Sequence, residues 1–190
     1  ISYLSAQLGG LLYNCSFIAI EELKNFSEIL YILINGTGVG FTVEKEFINK
    51  LPVIEAETRA GKPELIVFED SKIGWAEGLN SAMEYLWAGI PIECDYSKIR
   101  PRGARLKTMG GRASGPGPLK DLITFITNIV EANRGHQIQS IDAHDICCKI
   151  ADIVVMGGVR RSACISLSDL DDRTMANAKK GRSEEHTSEL

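Results

Sequence analysis

At 190 residues the chain is long enough to bury one ordinary domain core, and a composition of 44% hydrophobic and 24% charged residues excludes intrinsic disorder. A formal net charge of -4 gives no electrostatic reason to expect a nucleic-acid partner, and no apolar run approaches the roughly 20 residues that a membrane helix needs. The five cysteines (Cys15, Cys94, Cys147, Cys148, Cys164) form no CxxC pair and support neither a secreted disulfide framework nor a zinc ribbon, so no metal site and a cytoplasmic location are expected.

The chain opens at Ile1 in an apolar stretch without an initiator Met. NCSFIAI, Asn14 to Ile20, reads as a short strand and leads into a helical pattern with Leu23, Phe26, Leu30, Leu33 and Ile34 on one face. Asn35-Gly36 stops that helix, because both tolerate the left-handed turn of a C-cap. GTGVGFTV, Gly36 to Val43, is a glycine-rich turn feeding a β-branched strand. Residues 44 to 72 are more polar, carry Pro52 and Pro63, and predict an irregular segment with a short strand at 65 to 68. Trp75, Leu79, Met83 and Leu86 repeat at helical spacing, and Ile90 to Tyr96 predicts a strand.

Between Ser97 and Pro118 glycine and proline concentrate, no period survives, and a loop is predicted. An amphipathic helix follows, opened by Pro118 and ended by Gly135, with Leu119, Leu122, Ile123, Ile126 and Val130 inward. The next helix is predicted to start at an Asp142 cap and to run to Met156, closed by Gly157-Gly158. Ser162 to Leu167 alternates as a strand, and a last helix is predicted near Asp171. The final nine residues, 182 to 190 (RSEEHTSEL), read as a translated sequencing adapter, so a piece of a longer protein with a non-native tail is expected. Strands and helices thus alternate, which predicts an α/β architecture with helices over a largely parallel sheet or barrel.

Three features bear on chemistry. Cys15 is a lone strand cysteine, which by itself reads as a small buried hydrophobe. Gly36, Gly38 and Gly40 match neither the dinucleotide nor the phosphate-loop fingerprint, yet they permit close backbone approach to a ligand. Lys98, Arg100, Arg102, Arg105, Lys107 and Arg112 crowd one loop with no acidic residue between 98 and 112, a pattern suited to phosphate. The loop has no aromatic stacking platform for single-stranded nucleic acid. Arg160-Arg161 reads as a helix-end pair. His136 and His144 have no partner at metal-ligand spacing, and Cys147-Cys148, mid-helix, reads as structural.

NCSFIAI with GTGVGFTVE, then IRPRGARLKTMGGRASGPGPL, then DAHDICCKIADIVVMGGVRRSACISLSD, in this order, resembles the ribonucleotide reductase large subunit across most of 14 to 172. GGRASGPGPL, GGVRRSA and the longer segment before the basic loop are more similar to the adenosylcobalamin-dependent triphosphate reductases than to the iron-dependent class.

The resemblance implies about the first half of a ten-stranded α/β barrel. Residues 1–43 would open the catalytic barrel, 44–89 would be an inserted segment contributing to an effector site, and 90–181 would continue the barrel with a specificity loop at 97–118. It implies reduction of ribonucleotides, as triphosphates, to deoxyribonucleotides by a thiyl radical, with two cysteines supplying the electrons. Cys15 matches the first of that pair; Asn14, Cys15 and Gly38 match substrate-lining positions; Arg105, Lys107 and Arg112 match the specificity loop that reads a deoxynucleotide effector. A thioredoxin-type reductant is implied as partner, and the insert is compatible with a monomeric parent. The radical cysteine, the second redox cysteine and most of the adenosylcobalamin site belong to later parts of the family's sequence, so no turnover is expected of these residues alone. Two other readings are an iron-dependent reductase subunit and a nucleotide-sensing module without chemistry.

Overall fold

The computed structural model describes residues 15–105, 112–156 and 163–180. Asn14, Lys107, Gly157, Gly158, Arg160, Arg161 and the 182–190 tail lie outside the described residues. The elements in chain order are β1 (Cys15–Ala19), α1 (Lys24–Ile34), β2 (Gly38–Thr42), α2 (Lys45–Ile48), β3 (Glu64–Val67), α3 (Lys72–Trp87), β4 (Ile92–Asp95), α4 (Gly117–Ala132), α5 (Ser140–Met156), β5 (Cys164–Leu167) and α6 (Arg173–Ala176). No helix among the described residues is long and apolar enough to cross a membrane.

The α/β expectation holds, and every pairing between these strands is parallel. The strands form two sheets, β1-β2-β5 and β3-β4, and the described residues do not close a barrel. Each parallel neighbour needs a crossover. Helix α1 makes the one from β1 to β2, and α3 makes the one from β3 to β4. The expected division between 89 and 90 falls inside this second β-α-β unit, because β4 pairs with β3 and not with the first sheet.

The core lies between the first sheet and a layer of helices. Period-two alternation turns Val39 and Phe41 inward, both buried; β2 packs on α1, and Phe41 also meets the His144 ring of α5. Phe26, Ile29, Leu30 and Leu33 of α1 are fully buried. This one helix therefore packs on the sheet and also on α3 and α5, while α4 joins α3 to α5. Leu119, Leu122, Ile126 and Val130 supply α4's apolar stripe, as its spacing predicts.

The helix ends follow local chemistry. Gly36 and Gly135 adopt φ of +83° and +73°, the left-handed geometry that stops α1 and the turn after α4. Ser71 Oγ accepts from Gly74 N–H at 2.9 Å to cap α3, and Asp172 Oδ1 accepts from the N–H groups of Thr174 and Met175 to cap α6. Helix α5 differs from expectation. It starts at Ser140, and Asp142 sits inside its first turn, reaching back to accept from Gln139 N–H at 3.0 Å, the return half of a capping box.

The polar stretch after β2 is also more ordered than its prolines suggest. It begins with the short α2, and Leu51 and Ile54 are buried. Its backbone is tied down by Ile54 N–H to His136 C=O (3.0 Å), Gly135 N–H to Ile54 C=O (3.1 Å) and Glu55 N–H to Trp87 C=O (2.9 Å).

Close packing inside the second unit generates a test. A Cβ at Gly78 of α3 would fall 2.4 Å from Cε1 of the buried Phe68 ring, whereas one at Gly61 meets nothing within 4 Å. Gly78→Ala is expected to destabilise by about 1–3 kcal/mol through overpacking. Gly61→Ala is expected to stay within about 0.5 kcal/mol of the parent. Urea unfolding midpoints of the two variants check the pair.

Candidate functional site

The pairing of β1 with β2 sets Cys15 opposite Gly38, Ser16 opposite Val39 and Phe17 opposite Gly40, and β5 continues the rows with Cys164 beside Val39 and Ile165 beside Gly40. Residues two apart share a face. Cys15, Phe17, Gly38, Gly40 and Ile165 therefore lie on the side away from the helices. That side is open: Phe17 is 56% and Ile165 65% exposed, and Leu167, two residues further along β5, is exposed as well. Cys15 is exposed too, which sets aside the reading of a lone strand cysteine as buried filler.

Glycine shapes the middle of this face. A Cβ at Gly40 would lie 3.1 Å from Phe17 Cδ2 and 3.6 Å from Ile165 Cγ2, so the two side chains close over the strand between them. At the Cys15 end, Ser16 Oγ donates to Gly38 C=O at 3.3 Å and fixes the two strand starts together. The result is an accessible thiol at the edge of an apolar face, opposite Gly38, which has no side chain of its own. An exposed thiol at a strand end can act as a sulfur nucleophile or reductant. Asn14, the other expected substrate-lining residue, lies outside the described residues.

The basic loop is less uniformly free than its composition suggests. Lys98 pairs with Glu69, and Arg100 Nε donates to Asp70 Oδ2 at 2.7 Å, so carboxylates just past β3 occupy two of the six cations. The sequence signal concealed this, since those carboxylates sit outside the 98 to 112 window. Arg105 and Arg112 face each other across an antiparallel bridge and are exposed, with Arg112 Nη1 donating to Gly103 C=O at 3.3 Å. Their hydrogen bonds among the described residues stay within this hairpin and do not reach the β1-β2 edge. Lys107 lies outside the described residues. Near the base of the loop, Tyr96 stacks on Phe68 at 5.1 Å, and burial together with the Cys94 thiol pushes its phenol above the ordinary range.

Behind the first sheet the structure assembles side chains that sequence spacing treated as unrelated. His144 Nδ1 lies 3.0 Å from Ser166 Oγ of β5, and His144 Nε2 lies 3.4 Å from Cys148 Sγ. The signal was present: His144 and Cys148 are four apart on a helix and so share a face. The neighbouring Cys147 behaves differently, being fully buried. Burial first, and then the nearby Cys148 and Cys164 thiols, push its thiol well above the usual range.

Among known proteins, an adenosylcobalamin-dependent ribonucleoside-triphosphate reductase of Lactobacillus acidophilus is 41% identical over 92% of this chain and 31% of its own length. The enzyme of the same description from Euglena gracilis is 30% identical over 92% of this chain and 24% of its own, and that from Lactobacillus helveticus is 28% identical over 92% and 31%. A crystal structure of a B12-dependent (class II) ribonucleotide reductase superposes with a TM-score of 0.81 at 23% identity, covering 96% of this chain and 32% of that one, which establishes a shared fold. The chain thus spans about a third or less of the length of these relatives. No family model matches it.

The contrast between the two thiols is directly measurable. Iodoacetamide applied to the native full-length protein in its reduced state is expected to alkylate Cys15 at least about tenfold faster than Cys147, because the reaction needs an accessible thiolate. Peptide mapping over a time course reads both rates, and equal rates would refute the placement of Cys15 on the open face.

Proposed function

This chain belongs to the adenosylcobalamin-dependent ribonucleoside-triphosphate reductases, and we propose that the protein containing it reduces ribonucleoside triphosphates to 2′-deoxyribonucleotides, with Cys15 as one of two reducing thiols. The observation that carries the reading is the exposed Cys15 in register with Gly38 on the open face of the parallel sheet. A nucleoside triphosphate is the substrate and a thioredoxin-type dithiol the final reductant. The cytoplasm, whose reducing poise returns such a disulfide to thiols, is the compartment.

The overall reaction balances on sulfur. The ribose loses its 2′ hydroxyl as water and gains hydrogen at that carbon. Cys15 and a second cysteine outside this chain give up two electrons and two protons and join as a disulfide, which the external dithiol then reduces by exchange. Cys15 suits this cycle because both the substrate and the resolving sulfur must reach it, and its strand end is open to solvent. Gly38 and Asn14 line the ribose in this reading. The thiyl radical that starts the reaction belongs to a cysteine outside these residues.

The described residues do not fit a cobalamin site. The open face around Cys15 is formed by Phe17, Ile165, Leu167 and glycine, with little to hold a large polar macrocycle. The cofactor belongs to parts of the protein beyond them, and the steps given to Cys15 do not involve it. The open face is read as the interior of the first half of a ten-stranded barrel, to be covered by the remaining strands. Arg105, Lys107 and Arg112 are the proposed contacts to a deoxynucleotide effector, with residues 44–89 contributing to that site in a monomeric parent. The exposed Arg105 and Arg112 support this assignment, since among the described residues neither is paired with a carboxylate.

Cys15→Ser in the full-length protein is expected to lower steady-state turnover with a dithiol reductant by on the order of 10⁴-fold, the scale on which removing one member of a catalytic unit acts. Nucleotide affinity should change little. Deoxynucleotide formation at the parent rate by this variant would sink the redox role of Cys15 and favour a nucleotide-sensing module. The 190-residue chain by itself is expected to form no deoxynucleotide under the same assay.

A further inference from the structure

The His144, Cys148 and Ser166 constellation lies on the helix side of the first sheet, across the ladder from Cys15. Helix α5 sets His144 and Cys148 one turn apart on the same face, and strand β5 brings Ser166 to the other side of the imidazole. The ring is held further by Phe41, whose centroid lies 6.1 Å away at a 41° tilt. With the ring proton on Nδ1 directed at Ser166 Oγ, Nε2 presents its lone pair to the Cys148 thiol. A nucleophile, a base within reach of it, and a third group orienting the base are the parts of an activated thiol. Both His144 and Cys148 are partly exposed, unlike Cys147 beside them.

We propose that Cys148 is a second reactive thiol of this protein, separate from Cys15, that exchanges with small-molecule disulfides of the glutathione class to form a mixed disulfide. His144 Nε2 takes the proton from Cys148 Sγ. The thiolate attacks one sulfur of the disulfide, the S–S bond breaks as the Cys148–sulfur bond forms, and the departing thiolate recovers the proton from His144. Cys148 is oxidised, and the leaving sulfur is reduced. Ser166 is a positioning residue, since its hydroxyl meets the far nitrogen of the imidazole. The bulk of the adduct falls between α5 and β5, on the helix side of the sheet.

The test uses the full-length protein, reduced and desalted, then exposed to oxidised glutathione, with the adduct followed on the tryptic peptide 135–149 by mass spectrometry. The adduct is expected on this peptide in the parent and in Cys147→Ser but not in Cys148→Ser. His144→Gln keeps a polar side chain but lacks a base, and it is expected to slow the adduct at least about tenfold, while the adduct rate at Cys15 stays unchanged and reports intact folding. Ser166→Ala is expected to slow it less. Modification that persists in Cys148→Ser, a rate in His144→Gln equal to the parent's, or no adduct on this peptide would each overturn the proposal.

Discussion

The backbone ladder between β1 and β2 decides what each side of the central sheet carries. Its register is pinned by Val39 and Phe41, which are buried on the helix side. Because side chains alternate along a strand, a slip of one residue would drive Cys15 and Phe17 into the helix layer and expel Ser16 and Ile18. The accessibility of the thiol is thus a by-product of core packing on the far face. Parallel sheets are ordinarily covered on both faces, and here one side leaves Phe17, Ile165 and Leu167 exposed.

The second β-α-β unit does separate work. Among the described residues its strands pair only with each other, and the unit joins the common core through α3, which packs on α1 and α4, and through Ile66 and Phe68. Glu69 and Asp70, just past β3, hold Lys98 and Arg100, so the start of the basic loop is attached to this unit while Arg105 and Arg112 project beyond the attachment. Each such surface pair is worth about 0–1 kcal/mol, enough to bias loop placement and too little to fix it.

Much of this was legible in the residues, and the failures share a cause. The short apolar run at 14–20, the glycine turn into a β-branched run at 36–43, alternation in 162–167, helical spacing in 119–130 and the glycines at 36 and 135 report on neighbours close in sequence, and the elements they predict are present among the described residues. What escaped depends on residues far apart: the pairing of β3 with β4, the carboxylates that neutralise Lys98 and Arg100, and the tie of Ile54 to His136. Phe17 and Ile165 look like core residues in any window, and no local pattern by itself marks the face they form as exposed. At the candidate site, Cys15 and Gly38 were found by resemblance, and their adjacency is a fact of register.

Val39 N–H donates to the carbonyl of Ala163, the residue just before β5, with every helix of the core layer but α1 lying between them in the chain. The edge of β2 must therefore wait, unpaired, until α5 has emerged during synthesis. Contacts closed over such separations form late and slow folding. A nascent chain halted before residue 163 would display a bare β2 rim, the kind of template that recruits other unfinished copies.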